Sequence, residues 1–276
     1  MTPALLPVPT PALLLDTLRE AAAAGAEVIR DGERRRASIV WREKAATDFV
    51  SEIDETAEAR ILEILLGRVP EAAILAEESA GTLAAERRAH GVTFVVDPLD
   101  GTTNFLHGIP QFAISIALER EAAIVAGLVY NPASDEMFLA EKGKGAFLND
   151  QRIRVAGRKR LADSVIACGL PHIGRGDLVL AHKETGQMAS QVAGLRRFGA
   201  AALDLAWVAA GRLDGYWERD IKPWDIAAGL ILVREAGGFV TGCEGNDDAI
   251  ASCNVVAGNE IIQKELVRVL KEAGKG

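Results

Sequence analysis

Aromatic residues make up only 5% of this chain, and cysteine, histidine and methionine are scarcer still, at three, four and three copies. The cysteines (Cys168, Cys243, Cys253) are odd in number and lack metal-ligand spacing. That excludes a disulfide framework and a zinc–thiolate centre, and fits a reducing cytosol. Each is expected as a small buried apolar residue. The histidines (His90, His107, His172, His182) have no mutual ligand spacing and are assigned to surface or structural roles. Positive charge is also short: 31 Lys and Arg face 39 Asp and Glu, a net −8 that argues against direct nucleic-acid binding. No run approaches the ~18 continuous apolar residues of a membrane span. Met1 to Leu15 is rich in Pro and Leu but has neither a basic start nor a small-residue cleavage site, so it does not read as a signal peptide. The expected location is cytoplasmic.

What is present is an ordinary globular balance, 49% apolar and 25% charged over 276 residues. No repeat, linker or low-complexity tract divides it. One domain over 1–276 is expected, with 1–10 a flexible lead-in.

The most informative run is Asp97-Pro98-Leu99-Asp100-Gly101-Thr102-Thr103-Asn104-Phe105. It follows Val92-Thr93-Phe94-Val95-Val96, which reads as a buried strand ending on Asp97. Asp100 presents a second carboxylate, Gly101 lets backbone approach a ligand, and the threonines supply hydroxyls and a helix start. Carboxylates facing exposed N–H groups suit a hard divalent cation that holds a phosphate. An acidic tight turn would use the same residue types. The aspartyl-phosphate pattern Asp-x-Asp-x-Thr does not fit, because the spacing differs.

Helices are expected over Pro11–Ile29, closed by Gly32, over Glu52–Leu66 after Ser51, over Ala200–Ala210, Ile226–Ala236 and Glu260–Ala273. Strands are expected at 38–41, 72–75, 92–96, 112–118, 123–130, 136–140, 146–148, 165–167, 215–218 and 254–257, with loops at 79–91 and 171–190. This alternation predicts a layered α/β or α+β architecture.

Acidic residues recur at the predicted strand ends and helix starts: Asp48 with Asp54, Glu77 with Glu78, Asp97 with Asp100, and Asp225 after Pro223-Trp224. If they meet in one cleft, their repulsion is tolerable only with multivalent cations. All-oxygen donors favour Mg²⁺ over Zn²⁺. Taken one by one, plainer roles compete. Asp225 suits an N-cap, Asp204 a structural hydrogen bond, Glu218 a surface pair with Arg219 or Lys222, and Arg42 and Lys44 a solvated loop. Trp217 and Trp224 read as core or interface aromatics. Of the adjacent glutamates, Glu78 is the poorer ligand, since only one of the two readily faces the metals.

From about residue 11 to about 270 the chain resembles the inositol monophosphatase family. Glu77-Glu78-Ser79, the run from Asp97 to Asn104, and Trp224-Asp225-Ile226-Ala227-Ala228-Gly229 are similar to its three signature segments, in order. Within it the chain looks closest to a bacterial branch related to an enzyme that also associates with transcription machinery. The resemblance implies a layered α-β-α-β-α sandwich, a homodimer, sensitivity to Li⁺ and two or three Mg²⁺ ions. It implies Glu77, Asp97, the Leu99 carbonyl, Asp100 and Asp225 as metal ligands, and Asp54 as holder of a further, weaker ion through water. Glu77 and Thr102 would orient and deprotonate the attacking water. Gly101 and Thr102 would donate N–H groups to phosphate, while Arg196, Ala201 and Glu218 would meet the alcohol, in a substrate site that also includes Asp100 and Asp225.

Two departures stand out. Ala200 replaces a usual hydroxyl residue, and the stretch 174–191 is short. Both touch substrate preference or dimer geometry, not the metal ligands. The resemblance therefore implies Mg²⁺-dependent hydrolysis of a small polyol phosphate, myo-inositol 1-phosphate foremost. Histidinol phosphate, a nucleotide 3′-phosphate or fructose 1,6-bisphosphate are the alternative substrates, and a regulatory protein docked on transcription machinery is the alternative class.

Overall fold

The structure is a computed structural model that describes residues 11–45, 48–79, 91–171, 176–246 and 249–275. It stacks five layers. Outermost lie helices α1 (Pro11–Arg34) and α2 (Glu52–Arg68), packed on one face of a seven-stranded sheet. In order across it, that sheet holds β3 (Ala73–Ala76), β4 (Val92–Asp100), β5 (Ala113–Arg120), β6 (Ala123–Asn131), β7 (Glu136–Glu141), β8 (Gly145–Leu148) and β9 (Gln151–Arg152). Helices α5 (Ala201–Ala209) and α6 (Pro223–Glu235) fill the middle. The second sheet runs β11 (Gly194–Arg196), β10 (Val165–Cys168), β12 (Gly215–Arg219), β14 (Asn254–Gly258) and β13 (Phe239–Thr241). Helices α4 (Leu178–Ala189) and α8 (Glu260–Ala273) close the far side. A hairpin of β1 (Trp41–Ala45) and β2 (Asp48–Ser51) and the short helices α3 (Thr102–His107) and α7 (Ala249–Ser252) complete the set. This is the expected α-β-α-β-α sandwich. No described helix is long and apolar enough to cross a membrane.

Each layer follows from its pattern. Ile53, Ala57, Ile61 and Leu65 recur every four residues, so α2 buries one stripe. Its start is fixed where Ser51 Oγ accepts from Ile53 N and Asp54 Oδ2 accepts from Ser51 N at 2.8 Å. The middle helices are apolar all round, with Leu203, Leu205, Leu230 and Leu232 all buried, because sheets cover them on two sides.

Several sequence expectations need correction. Gly32 does not stop α1, which runs on to Arg34; a Cβ on Gly32 would come within 2.8 Å of Ile53, so glycine lets two helices touch. The strand expected at 38–41 starts only at Trp41. The strand from Val92 does not end at Asp97 but continues to Asp100 through a bulge opposite β5. The expected loop at 171–190 holds α4, whose Asp177 side chain accepts from Leu180 N at 2.9 Å. Its apolar stripe is thin, since Leu178 and Val179 are exposed, and periodicity gave little sign of it. The connection at 79–91 and the lead-in 1–10 lie mostly or wholly outside the described residues, as do His90, His172 and the side chain of Asp48.

Candidate active site

The bulge between Asp97 and Asp100 turns the end of β4 into one wall of a cleft of about 380 Å³. Glu77 arrives from the end of β3, Asp225 from the first turn of α6, and Glu218 from β12. Glu77, not Glu78, lines the cleft; the Glu78 N–H is taken by buried Glu58 Oε2 at 2.8 Å.

Backbone amides fix the acidic side chains. Leu99 N donates to Asp97 Oδ1 at 3.0 Å, Ala202 N to Asp100 Oδ2 at 2.7 Å, and Lys222 N to Asp225 Oδ2 at 3.0 Å. Asp225 is therefore not the N-cap but the third residue of a helix that begins at Pro223. Burial pushes the Asp97 carboxyl well above the usual range, and repulsion from Glu77, Asp100 and Asp225 pushes it further. Asp100 is raised in the same way by burial and then by Asp225, against the opposing bond from Ala202. Among the described residues, no three His, Cys, Asp or Glu side chains already close on a point that could hold an ion. The donor chemistry nonetheless fits hard cations: the donors are carboxylates and the Leu99 carbonyl, and their mutual repulsion is what bound cations relieve.

Gly101 has φ +94°, and a Cβ there would lie 2.9 Å from the Gln111 carbonyl and 3.2 Å from the Ala200 methyl. Only glycine lets β4 pass into α3 with Thr102 at the cleft. The Thr102 hydroxyl lies 2.7 Å from Asp54 Oδ1 and 3.1 Å from the Leu99 carbonyl, so Asp54 and not Glu77 takes its proton bond. Asp54 stands behind the wall, 1% exposed, also held by Ser51. Burial raises its pKa, partly offset by the bonds from Ser51 and Thr102.

The alcohol side differs from expectation. Ala201, Glu218 and Ala200 line the cleft, but Arg196 does not. Arg196 is exposed on β11, with Nη1 bonded to its neighbour's carbonyl at 2.9 Å. Its successor Arg197 reaches the cleft, because adjacent residues of an extended chain face opposite ways. Glu218 is not paired with Arg219, which bonds buried Glu184 at 2.7 Å; it accepts the Tyr216 hydroxyl and packs on Gly169, where any Cβ would collide with its carboxyl.

Sequence reasoning missed Cys168, Gly169, Arg197 and Asp204 in this wall. Asp204 is 1% exposed, and its Oδ1 has no hydrogen-bond partner. Burial and then the nearby Glu218 push its pKa well up, and Arg197 opposes them. Burial likewise lifts the Cys168 thiol to about 12, so it is a packing group and no nucleophile. None of the three cysteines forms a disulfide.

Comparison with known proteins gives the family. A profile of the inositol monophosphatase family matches residues 11–275. An inositol-1-monophosphatase of Mesorhizobium japonicum is 50% identical over 95% of this chain and 97% of its own length. The Nus factor SuhB of Pasteurella multocida is 38% identical over 94% of this chain and 96% of its own. Among solved structures, the extragenic suppressor protein suhB of Bartonella henselae superposes with a TM-score of 0.89 at 46% identity, covering 94% and 98% of the two chains. The inositol monophosphatase of Anabaena superposes with 0.82 at 35% identity, covering 95% and 96%. The chain belongs to the inositol monophosphatase family, a family of phosphoric monoester hydrolases.

Proposed function

We propose that this chain, acting as one domain and as a cytoplasmic homodimer, hydrolyses the phosphate monoester of a small polyol, myo-inositol 1-phosphate first among candidates. The observation that carries this reading is the acidic wall of Glu77, Asp97, Asp100 and Asp225 beside the Thr102–Asp54 pair at the start of a helix. Glu77, Asp97, the Leu99 carbonyl, Asp100 and Asp225 would hold two or three Mg²⁺ ions. When bound, such ions offset the phosphate's charge, acidify a water and stabilise the departing alkoxide.

This chain's own residues do the rest. The N–H groups of Gly101 and Thr102, at a helix start with no carbonyl a turn earlier to take them, donate to phosphate oxygens. Glu77 and the Thr102 hydroxyl orient the attacking water. As Thr102 Oγ1 takes the water's proton, its own passes along the 2.7 Å bond to Asp54 Oδ1. Burial has already raised the proton affinity of that carboxylate, which suits it to receive. On the alcohol side Glu218 accepts substrate hydroxyls, and Ala200 and Ala201 leave room for the ring. No covalent intermediate is needed, since positioning and charge lower the barrier.

The test is a phosphate-release screen over inositol, histidinol, nucleotide and fructose phosphates, with and without Mg²⁺. Inositol 1-phosphate should turn over fastest, and only with the ion. Release unaffected by a chelator would sink the metal assignment, and a faster rate on another phosphate would reassign the substrate. Inhibition by Li⁺ and a dimer in light scattering are expected beside it. Docking on transcription machinery draws its support from relatives named Nus factor SuhB, and is secondary to the catalytic reading.

A further inference from the structure

The alcohol side of the cleft holds a buried polar group that the mechanism above does not use. Asp204 lies in the first turn of α5, between Leu203 and Leu205, both fully buried. Its backbone N–H bonds the Ala200 carbonyl at 3.0 Å, as a regular helix requires. Its side chain lines the cleft, is 1% exposed, and leaves Oδ1 without a hydrogen-bond partner. The positive end of a helix favours a carboxyl at this position. That attraction does not account for a buried oxygen that accepts nothing, and such a group in a native protein calls for an explanation.

The donors around it are spent elsewhere. The Tyr216 hydroxyl goes to Glu218, Cys168 Sγ to the Arg196 carbonyl at 3.6 Å, and Ala202 N to Asp100 at 2.7 Å. Arg197, exposed and lining the cleft, opposes the rise in the Asp204 pKa but does not bond Oδ1. Its Nη1 instead lies 2.5 Å from where a Cβ on Gly199 would stand. Burial and then Glu218 favour the neutral form of Asp204. This wall therefore offers a neutral carboxyl, which can donate and accept, together with Glu218, which accepts. A second phosphate would meet two carboxyls here, and a bare alkyl chain would leave both unpaired. Two hydroxyls of one polyol complement both.

We propose that Asp204 is a specificity-determining residue, bonding one hydroxyl of the substrate's alcohol portion while Glu218 accepts from another. The contact rests on the reading of this cleft as a polyol phosphatase and adds to substrate choice, not to activation of water. Oδ1 gains its partner only when a polyol is bound. The site therefore rewards hydroxylated substrates and penalises alkyl phosphates that leave it unpaired.

Two variants and two readouts test it. Asp204→Asn keeps the shape and both a donor and an acceptor, whereas Asp204→Ala removes them. The first readout compares kcat/KM for inositol 1-phosphate and propyl phosphate with Mg²⁺ present. Asp204→Ala should lower the ratio of the two about tenfold or more, and Asp204→Asn should keep most of it. In the wild type, one inositol phosphate lacking a single hydroxyl should show the same loss. Asp204→Ala should no longer distinguish that analogue from its parent. The second readout needs no turnover: saturation-transfer NMR of free myo-inositol, with inorganic phosphate and Mg²⁺ present. Saturation should pass to the polyol from the wild type and Asp204→Asn, and far less from Asp204→Ala. A loss shared equally by both substrates would make Asp204 structural and overturn the proposal. So would an unchanged ratio, Asp204→Asn as poor as Asp204→Ala, equal rates across the deoxy series, or no transfer from the wild type. A chain that released phosphate from no monoester yet kept the Asp204-dependent transfer would defeat the hydrolase reading and leave this contact standing.

Discussion

The two sides of the cleft are built differently. On the phosphate side, a short stretch of β4 and α3 supplies Asp97, Leu99, Asp100, Gly101 and Thr102, and a backbone amide pins each aspartate. On the alcohol side, Glu218, Arg197, Ala201 and Asp204 come from separated segments, and Asp204 Oδ1 is bonded to nothing. A buried carboxyl oxygen left without a hydrogen bond costs about 1–3 kcal/mol, whereas the cost on the other side is the mutual repulsion of carboxyls that are each hydrogen-bonded. The phosphate side is specified by local chain geometry, and the alcohol side by packing between layers. On the proposed reading, reaction type follows from the first and substrate choice from the second.

Asp100→Asn tests the contrast hardest. It removes a charge that the proposed cation site relies on but keeps the acceptor for Ala202 N, so the rate should fall by about a thousandfold or more with Tm unchanged or higher. Full activity at saturating Mg²⁺ would break the assignment. Thr102→Ala comes next: kcat should drop by about 10²–10⁴ while KM moves little, because the loss falls on the transition state. A raised KM at constant kcat would make Thr102 a binding group only.

On the other side, Glu218→Gln should impair inositol phosphate hydrolysis about tenfold more than hydrolysis of an aryl phosphate. Arg197→Ala should show the same bias more weakly, and Arg196→Ala none; a reversed order of the two arginines would contradict their placement. The smallest effect is on stability. Asp54, Asp97, Asp100 and Asp204 all have folded-state pKa values raised above the ordinary range. The folded state therefore binds more protons than the unfolded one just above the ordinary range near pH 4. Their contribution is fully present below that point and is lost as pH rises through the folded values. Chelated protein should gain Tm on mild acidification from neutral pH, and Asp204→Asn should flatten that gain. A Tm that fell steadily over the same range would be inconsistent with these shifts.

Much of this was legible in the sequence. The continuous apolar run of β4 and the four-residue stripe of α2 are strong periodic signals, and α8 appears with the expected bounds, Glu260–Ala273. The acidic run could be read as a unit because its residues are neighbours in the chain. The bulge that carries β4 on to Asp100 has no residue signature, since it arises from pairing with β5. Arg197 and Asp204 were hidden for a related reason: which of two adjacent arginines faces inward depends on β11 meeting β10, and Asp204 became a cleft residue only when α5 was laid beneath Asp100. The three-residue strands β11 and β13 are too short to show alternation.

Helix α6 is held between two sheets, with Ile226 through Val233 buried without a break. Such a helix has no face from which water can peel its hydrogen bonds, so its amide protons should exchange with solvent only when the whole core opens. The clock of that exchange is the lifetime of the entire fold. Asp225 sits in the first turn of this helix, so a mutation that shortens that lifetime anywhere in the middle layer should appear as slow loss of activity on storage, well before the melting temperature changes much.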